Sequence, residues 1–167
     1  MGSFRICVAI TALCLLAVTT RLFGAQRYVD SVYHQGDFAL VEQGHAVPLR
    51  VDANDYAGVV RAVTGLQADM NRVTGGSPSI LNEDESLGKS VVIIGTIGRS
   101  AVVDRLIHSG KLDVTSIAGK WESFVIQTIT APFPGVNSAL VIAGSDKRGT
   151  IYGIYDVSEQ IGVSPWY

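Results

Sequence analysis

Cysteine is almost missing from this chain, and its placement sharpens the point. The only two, Cys7 and Cys14, lie within the first 25 of 167 residues. From Gln26 onward there is none, so no disulfide, cysteine nucleophile or thiolate metal site can form there. Histidine is scarce as well: His34, His45 and His108 are scattered, with no HExxH or comparable ligand spacing. No cofactor or metal is therefore expected. A concentrated basic face is also lacking. Beyond residue 25 the chain carries 11 basic against 15 acidic residues, a net of −4, which argues against a phosphate-backbone binder and so against a nucleic-acid partner. No apolar run reaches the ~20 residues that span a bilayer, so no stable membrane insertion is expected. Internal repeats and low-complexity segments are absent too. The low hydrophobicity of a disordered chain is equally missing, and the length suits one domain with a real core.

What is present begins with a targeting signature. Arg5 supplies a positive flank, Ile6 to Val18 is apolar apart from Thr11, and Phe23-Gly24-Ala25 precedes a polar start at Gln26. That layout reads as a secretory signal peptide over residues 1–25, and the expected localisation is secreted or periplasmic.

The next elements follow from hydrophobic period. Phe38 to Val41 is a short strand candidate, and Val47 to Val51 is a second, placed at a sheet edge because Pro48 cannot donate to a ladder. Asp52 or Asn54 can cap a helix whose stripe is Tyr56, Val59, Val60, Val63, Leu66, Met70 and Val73. Gly75-Gly76 and Ser77-Pro78 end it. Asn82 to Ser86 is an acidic loop, read as solvated rather than as an acid–base pair. Val91 to Ile94 is an apolar strand, Ser100 to Ser109 a helix and Trp121 to Thr130 a strand by alternation. Ala131-Pro-Phe-Pro-Gly135 then turns the chain into a hairpin partner.

The last stretch organises the rest. Ala139 to Ala143 is an unbroken apolar run, the mark of a strand covered on both faces. Gly144 ends it, Ser145 or Asp146 can cap a helix, and Ile151, Ile154, Tyr155 and Ile161 fall at helical spacing with Ser158 in their stripe. Gly162 suits the helix C-terminus. Tyr152 and Tyr155 read as core residues, and Asp156 and Glu159 as solvated. The element order predicts an α/β (α+β) fold, a mixed β-sheet flanked by helices.

Complete catalytic motifs are wanting. Gly144 to Thr150 lies between strand and helix, as a phosphate loop does, but Thr150 follows Gly149 where that motif needs lysine. Gly95-Thr-Ile-Gly98 lacks the third glycine of a dinucleotide fingerprint, and no Gly-x-Ser-x-Gly elbow occurs. Lys147 and Arg148 at a helix start oppose the macrodipole; they read as a solvent-facing basic pair, or as cations matched by a carboxylate on a neighbouring element or on a ligand. Trp166 and Tyr167 can stack on a sugar or pack as the first residues of a strand.

Three blocks carry a resemblance. Gly119-Lys-Trp-Glu-Ser-Phe124, Ala143-Gly-Ser-Asp-Lys-Arg-Gly-Thr-Ile-Tyr-Gly-Ile-Tyr155 and Ser158-Glu-Gln-Ile-Gly-Val-Ser-Pro-Trp-Tyr167 closely resemble the N-terminal region of glycoside hydrolase family 115, the xylan α-1,2-glucuronidases. The resemblance spans roughly Phe38 to Tyr167. It implies a small α/β leading domain over residues 26–163, like that of hexosaminidases and other α-glucuronidases, with 164–167 opening a (β/α)8 barrel. The barrel would hold the catalytic carboxylates and contact glucuronoxylan or aldouronic acids. On that reading no catalytic residue lies in this chain, which is inactive alone, and a homodimer is an expected partner state of the full-length protein. Lys147, Arg148, Trp166 and Tyr167 are the candidate substrate-binding residues. The competing expectation is a free-standing extracellular module that grips acidic carbohydrate through the same four.

Overall fold

The structure, a computed structural model, describes residues 27–81 and 83–163. The signal-peptide segment, the barrel start at 164–167, and with it Trp166 and Tyr167, lie outside the described residues. A two-stranded hairpin comes first, β1 (Val41–Glu42) against β2 (His45–Ala46). Gln43 and Gly44 both have positive φ, 50° and 79°, the signature of the I′ turn that matches strand twist. The expected strand over Phe38–Val41 is thus only its last residue plus Glu42.

The main sheet contains β3 (Leu49–Val51), β4 (Ile80–Leu81), β5 (Ser90–Thr96), β6 (Phe124–Thr130) and β7 (Ser138–Gly144) in the order β4-β3-β5-β7-β6. All neighbours are parallel except β6, which pairs antiparallel with β7 as the hairpin expected from the sequence. The mixed sheet flanked by helices is therefore the fold found. The edge placement of β3 is not: it runs between β4 and β5. Pro48 precedes the strand, so its missing N–H costs nothing, and its carbonyl accepts from Val92 N at 2.9 Å. The true edge, β4, is two residues long, too short for any period to reveal.

Helices cover both faces. α1 (Ala57–Thr74) and α3 (Lys147–Gln160) lie on one, where Val59, Val63, Leu66, Met70, Ile154 and Val157 bury against the sheet's Leu49, Val92, Ile94 and Ile142. α2 (Ala101–His108) covers the other, setting Val102, Val103 and Leu106 against Val91, Ile93 and Val141. That is why β5 and β7 read as continuous apolar runs, since successive side chains enter different cores. Each such side chain contributes about 1.5–3 kcal/mol on burial.

The helix starts differ from expectation in one case. Asp146 caps α3 as expected, accepting from Gly149 N at 2.8 Å, and Ser100 caps α2. Neither Asp52 nor Asn54 caps α1; Tyr56 takes that position without a side-chain bond. Asp52 instead accepts from Ala101 N at 3.0 Å, so it serves the first turn of α2. At the far end of α3, Gly162 N bonds Glu159 O and Val163 N bonds Ser158 O, the paired bonds of a Schellman stop.

α3 also rolls away from its expected face. Tyr155 is 57% exposed and Tyr152 38%, not core. The helix approaches the sheet through small residues: a Cβ on Gly153 would meet Ile142 at 2.8 Å and the Phe124 ring at 3.1 Å. With Gly149, Gly153, Thr150 and Ile154 turned inward, both tyrosines face out. Asp156 is not simply solvated either, for it accepts from the Tyr28 hydroxyl at 2.5 Å. Burial, and then that bond, push the Tyr28 phenol far above its ordinary value.

Candidate functional site

In an open α/β sheet, ligands favour the carboxyl ends of parallel strands where the strand order reverses. Here the reversal falls between β3 and β5. The protein's own side chains fill it. Asp55 accepts from Thr96 N and from Tyr56 N, both at 2.7 Å, and the Thr96 and Thr150 hydroxyls meet at 2.8 Å. Asp52 is buried beside them and accepts from Asn54 N at 3.1 Å and Ala101 N. Burial opposes its ionisation, but those N–H bonds outweigh it and hold the carboxyl below the usual range. Glu83 from the acidic loop takes an Asn54 amide bond at 3.4 Å, and its neighbour Asp52, by hydrogen bonding and then by charge, raises its pKa. Arg50 is 4% exposed, with Nε and Nη1 lacking hydrogen-bond partners. The Gly95–Gly98 turn at the end of β5 is occupied likewise: Ile97 N donates to Gly144 O and Gly98 N to Asp104 Oδ1. No open cradle for a dinucleotide remains.

The second cluster is built at the end of β7, where the sequence placed its odd basic helix start. Asp146 Oδ1 holds Gly149 N, and its Oδ2 accepts from Glu122 N at 2.9 Å. These bonds, the one from Glu122 foremost, keep the carboxyl below the ordinary aspartate value. Ser123 is stitched to the same turn, with Ser145 N donating to Ser123 O at 2.8 Å and Ser123 N to Ser145 Oγ at 3.1 Å. Glu122 adopts a left-handed φ of 54° to make this crossing. The crossing is so tight that a Cβ on Gly149 would lie 2.3 Å from Ser123 O. The loop-to-helix turn that resembled a phosphate cradle is thus closed by a carboxylate and by crossing backbone.

Glu122 also answers the question raised by the cations. Its carboxylate lies 2.8 Å from Arg148 Nη1, and Arg148 Nη2 donates to the Tyr152 hydroxyl at 3.0 Å. The Tyr152 bond, then the Glu122 charge, hold the guanidinium more firmly protonated. Being solvent-facing, the ion pair is screened by water and contributes little to stability. Lys147 is exposed one residue earlier and makes no ion pair among the described residues. Lys147 and Arg148 are therefore adjacent but differently engaged, while Trp166 and Tyr167 lie outside the described residues.

Trp121 was missed as a site residue. Read as the first residue of a strand, it instead tops the crossing loop, 86% exposed, while the strand starts at Phe124. It borders an open hollow of about 350 Å³ with Gly119, Lys120 and Asp146. Adjacent polar residues Glu122 and Ser123 break the alternation there, a signal that the strand begins later. A larger hollow, about 590 Å³, lies at the opposite end of β7. Its one cation, Lys111, is already bound to Ala131 O and Pro132 O, which leaves it little chemistry. The histidines do not converge: His34 meets Asp37 at 3.3 Å, His108 meets Asp104 O, and His45 sits in the first hairpin. Among the described residues no group of three or more potential ligands could hold a metal ion, and no helix is long and apolar enough to cross a membrane.

No family model and no curated protein matches the chain. Among solved structures it is similar to a 4-O-methyl-α-glucuronidase of glycoside hydrolase family 115 with specificity for decorated arabinogalactans. The identity is 28% and the TM-score 0.56, over 75% of this chain. The chain spans 15% of that enzyme's length. It is a domain related to part of a glycoside hydrolase.

Proposed function

We propose that this chain is the leading, non-catalytic domain of a secreted α-glucuronidase of glycoside hydrolase family 115, an enzyme that removes glucuronate or 4-O-methylglucuronate branches from xylan. The observation that carries this is the likeness over 75% of the chain to only 15% of a glucuronidase. That likeness leaves most of such an enzyme available to hold the chemistry. Glycoside hydrolysis needs two carboxyl groups facing each other across a substrate, roughly 5–9.5 Å apart. Asp52 and Asp146, the carboxylates at the strand ends, instead each hold two backbone N–H groups of their own fold. Such tied groups suit support rather than proton transfer. In this reading Lys147, which makes no ion pair among the described residues, faces the catalytic domain or its anionic ligand, and Arg148 with Glu122 braces the turn behind it. Trp166 and Tyr167 lead into that next domain, and the apolar N-terminal segment directs export.

The test is an assay of the purified chain on aldouronic acids, glucuronoxylan and decorated arabinogalactan, with released uronate measured. No turnover is expected. Release of glucuronate or its methyl ether by the chain alone would overturn the assignment of a non-catalytic role.

A further inference from the structure

Trp121 presents a large apolar ring to solvent on a loop that cannot easily retract it. The backbone on its C-terminal side is held by Asp146 and Ser145, and Lys120 N is fixed to Ile117 O at 3.0 Å. Ser123 Oγ donates to Trp121 O itself at 3.0 Å. The backbone that carries the ring is thus ordered before anything covers it, which lowers the cost of binding there.

The surroundings say what kind of molecule fits. The hollow of about 350 Å³ is open, so it covers one face of a ligand and does not enclose it. Asp146 and Lys120 line the hollow with Trp121; the Asp146 carboxylate has lone pairs beyond its two N–H bonds, and Lys120 makes no ion pair among the described residues. Of the two cations that follow Asp146, Arg148 is matched by Glu122, and the Lys147 stem runs toward Gly58 of α1. A flat apolar face bordered by one acceptor and one donor, with charges nearly balanced, suits a ring that is apolar on its faces and hydroxylated at its rim. It does not suit an anion, which would meet Asp146 and Glu122. It suits a protein partner poorly too. Specific protein interfaces bury roughly 1,200–2,000 Å² around aromatic centres depleted in lysine and aspartate, whereas here Lys120 and Asp146 form the wall.

We infer that the Trp121 hollow is a binding site for a neutral pyranose, with a C–H face of the sugar on the indole and its hydroxyls bonded to Asp146 and Lys120. This goes beyond the proposed function and stands without it, because a sugar platform needs no catalytic partner.

The test follows the indole N–H resonance of Trp121 in the full 167-residue chain, assigned by its loss in Trp121→Ala. The probes are methyl β-D-glucopyranoside, methyl β-D-xylopyranoside and sodium glucuronate. The neutral glycosides should give saturable shifts with Kd on the order of 1 mM. Binding measured by calorimetry should weaken at least roughly tenfold in Trp121→Ala and persist in Trp121→Phe, which keeps an aromatic face. Glucuronate should bind several-fold more weakly. No saturable shift, sugar affinity unchanged in Trp121→Ala, or glucuronate binding as tightly as the neutral sugars would each overturn the inference. So would a Trp121 resonance that moves with protein concentration and ignores the sugars, which would make the hollow a protein contact. A chain that binds sugar here yet releases uronate would refute the non-catalytic reading while leaving this site intact.

Discussion

Two carboxylates at two strand ends perform the same local task with opposite results. Asp52 after β3 and Asp146 after β7 each accept two backbone N–H groups and each tie a loop to the first turn of a helix. Around Asp52 the products are hidden: Asp52, Asp55, Thr96 and Arg50 are all buried. Around Asp146 they are displayed, for Trp121, Lys147 and Arg148 are exposed. The difference lies in what crosses above. At the first corner the carboxylate reaches sideways to α2, and its neighbours turn inward between elements. At the second, residues 120–123 cross over the helix start, pressed onto a glycine, so Lys120 and Trp121 are left exposed and Glu122 pairs with Arg148 at the surface. One hydrogen-bond device thus builds interior at one corner and a presented surface at the other.

The sharpest way to break the contrast is at Gly149. Its hydrogen lies where any Cβ would sit 2.3 Å from Ser123 O and 2.9 Å from Ser123 N. The Ser123 backbone cannot swing away as a side-chain tip can. Gly149→Ala should cost about 3 kcal/mol or more, since overpacking typically costs 1–3 kcal/mol even where side chains can adjust. A urea midpoint at neutral pH within error of wild type would show that the crossing is loose and that Trp121 is not held out by it.

How much of this was legible beforehand follows from the range of each signal. β5, β7, α1, α2 and the Asp146 cap were readable because each depends on residues within one or two turns of itself. β4 has two residues and so carries no period. Pro48 was readable as a non-donor but not as lying outside its ladder, because that depends on which strand comes to pair. The second corner was half legible. Lys147 and Arg148 announced a missing anion, yet nothing local marked Glu122 as its source, 26 positions before Arg148. Its left-handed φ is imposed by tertiary bonds to Asp146 and not by any turn residue of its own. Trp121 was misplaced for the same reason. Tyr152 and Tyr155 misled because spacing locates a stripe but not which edge of it touches the sheet, and Gly153 decided that.

The next largest effect is expected from Asp146→Ala. Losing an N-cap costs about 0.5–2 kcal/mol, and the second N–H bond adds about 0.5–1.5 kcal/mol. A loss near 2 kcal/mol at pH 7 is expected, seen as a lower urea midpoint. The sign of its pH dependence follows from the lowered carboxyl. A group whose folded pKa is below its unfolded value, ordinarily 3.8 here, stabilises above that value and loses its contribution as pH falls through the folded one. The gap between wild type and Asp146→Ala should therefore shrink at pH 3. A gap equally wide at pH 3 would show that the carboxylate's charge is not what braces the loop.

The smallest effect is expected at the first corner, and it tests the comparison from the other side. Arg50 is buried with two of its nitrogen groups unpartnered, although the charges of Asp52 and Glu83 act near it. A buried charge of this kind lacks the bonds that repay its desolvation, and well-packed apolar replacements of such groups are often neutral or stabilising. Arg50→Met keeps most of the stem that pairs in register with Ile93 and Leu81. It should leave stability within about 1 kcal/mol of wild type or raise it. Glu83, which has lost a nearby cation, should become still harder to ionise, so its titration followed by carboxyl-selective NMR should move upward. A loss of 3 kcal/mol or more, the usual result of breaking a satisfied buried pair, would mean that Arg50 is the keystone of its corner. The interior corner would then be organised by an ion pair, and Asp52 and Asp146 would no longer be comparable devices.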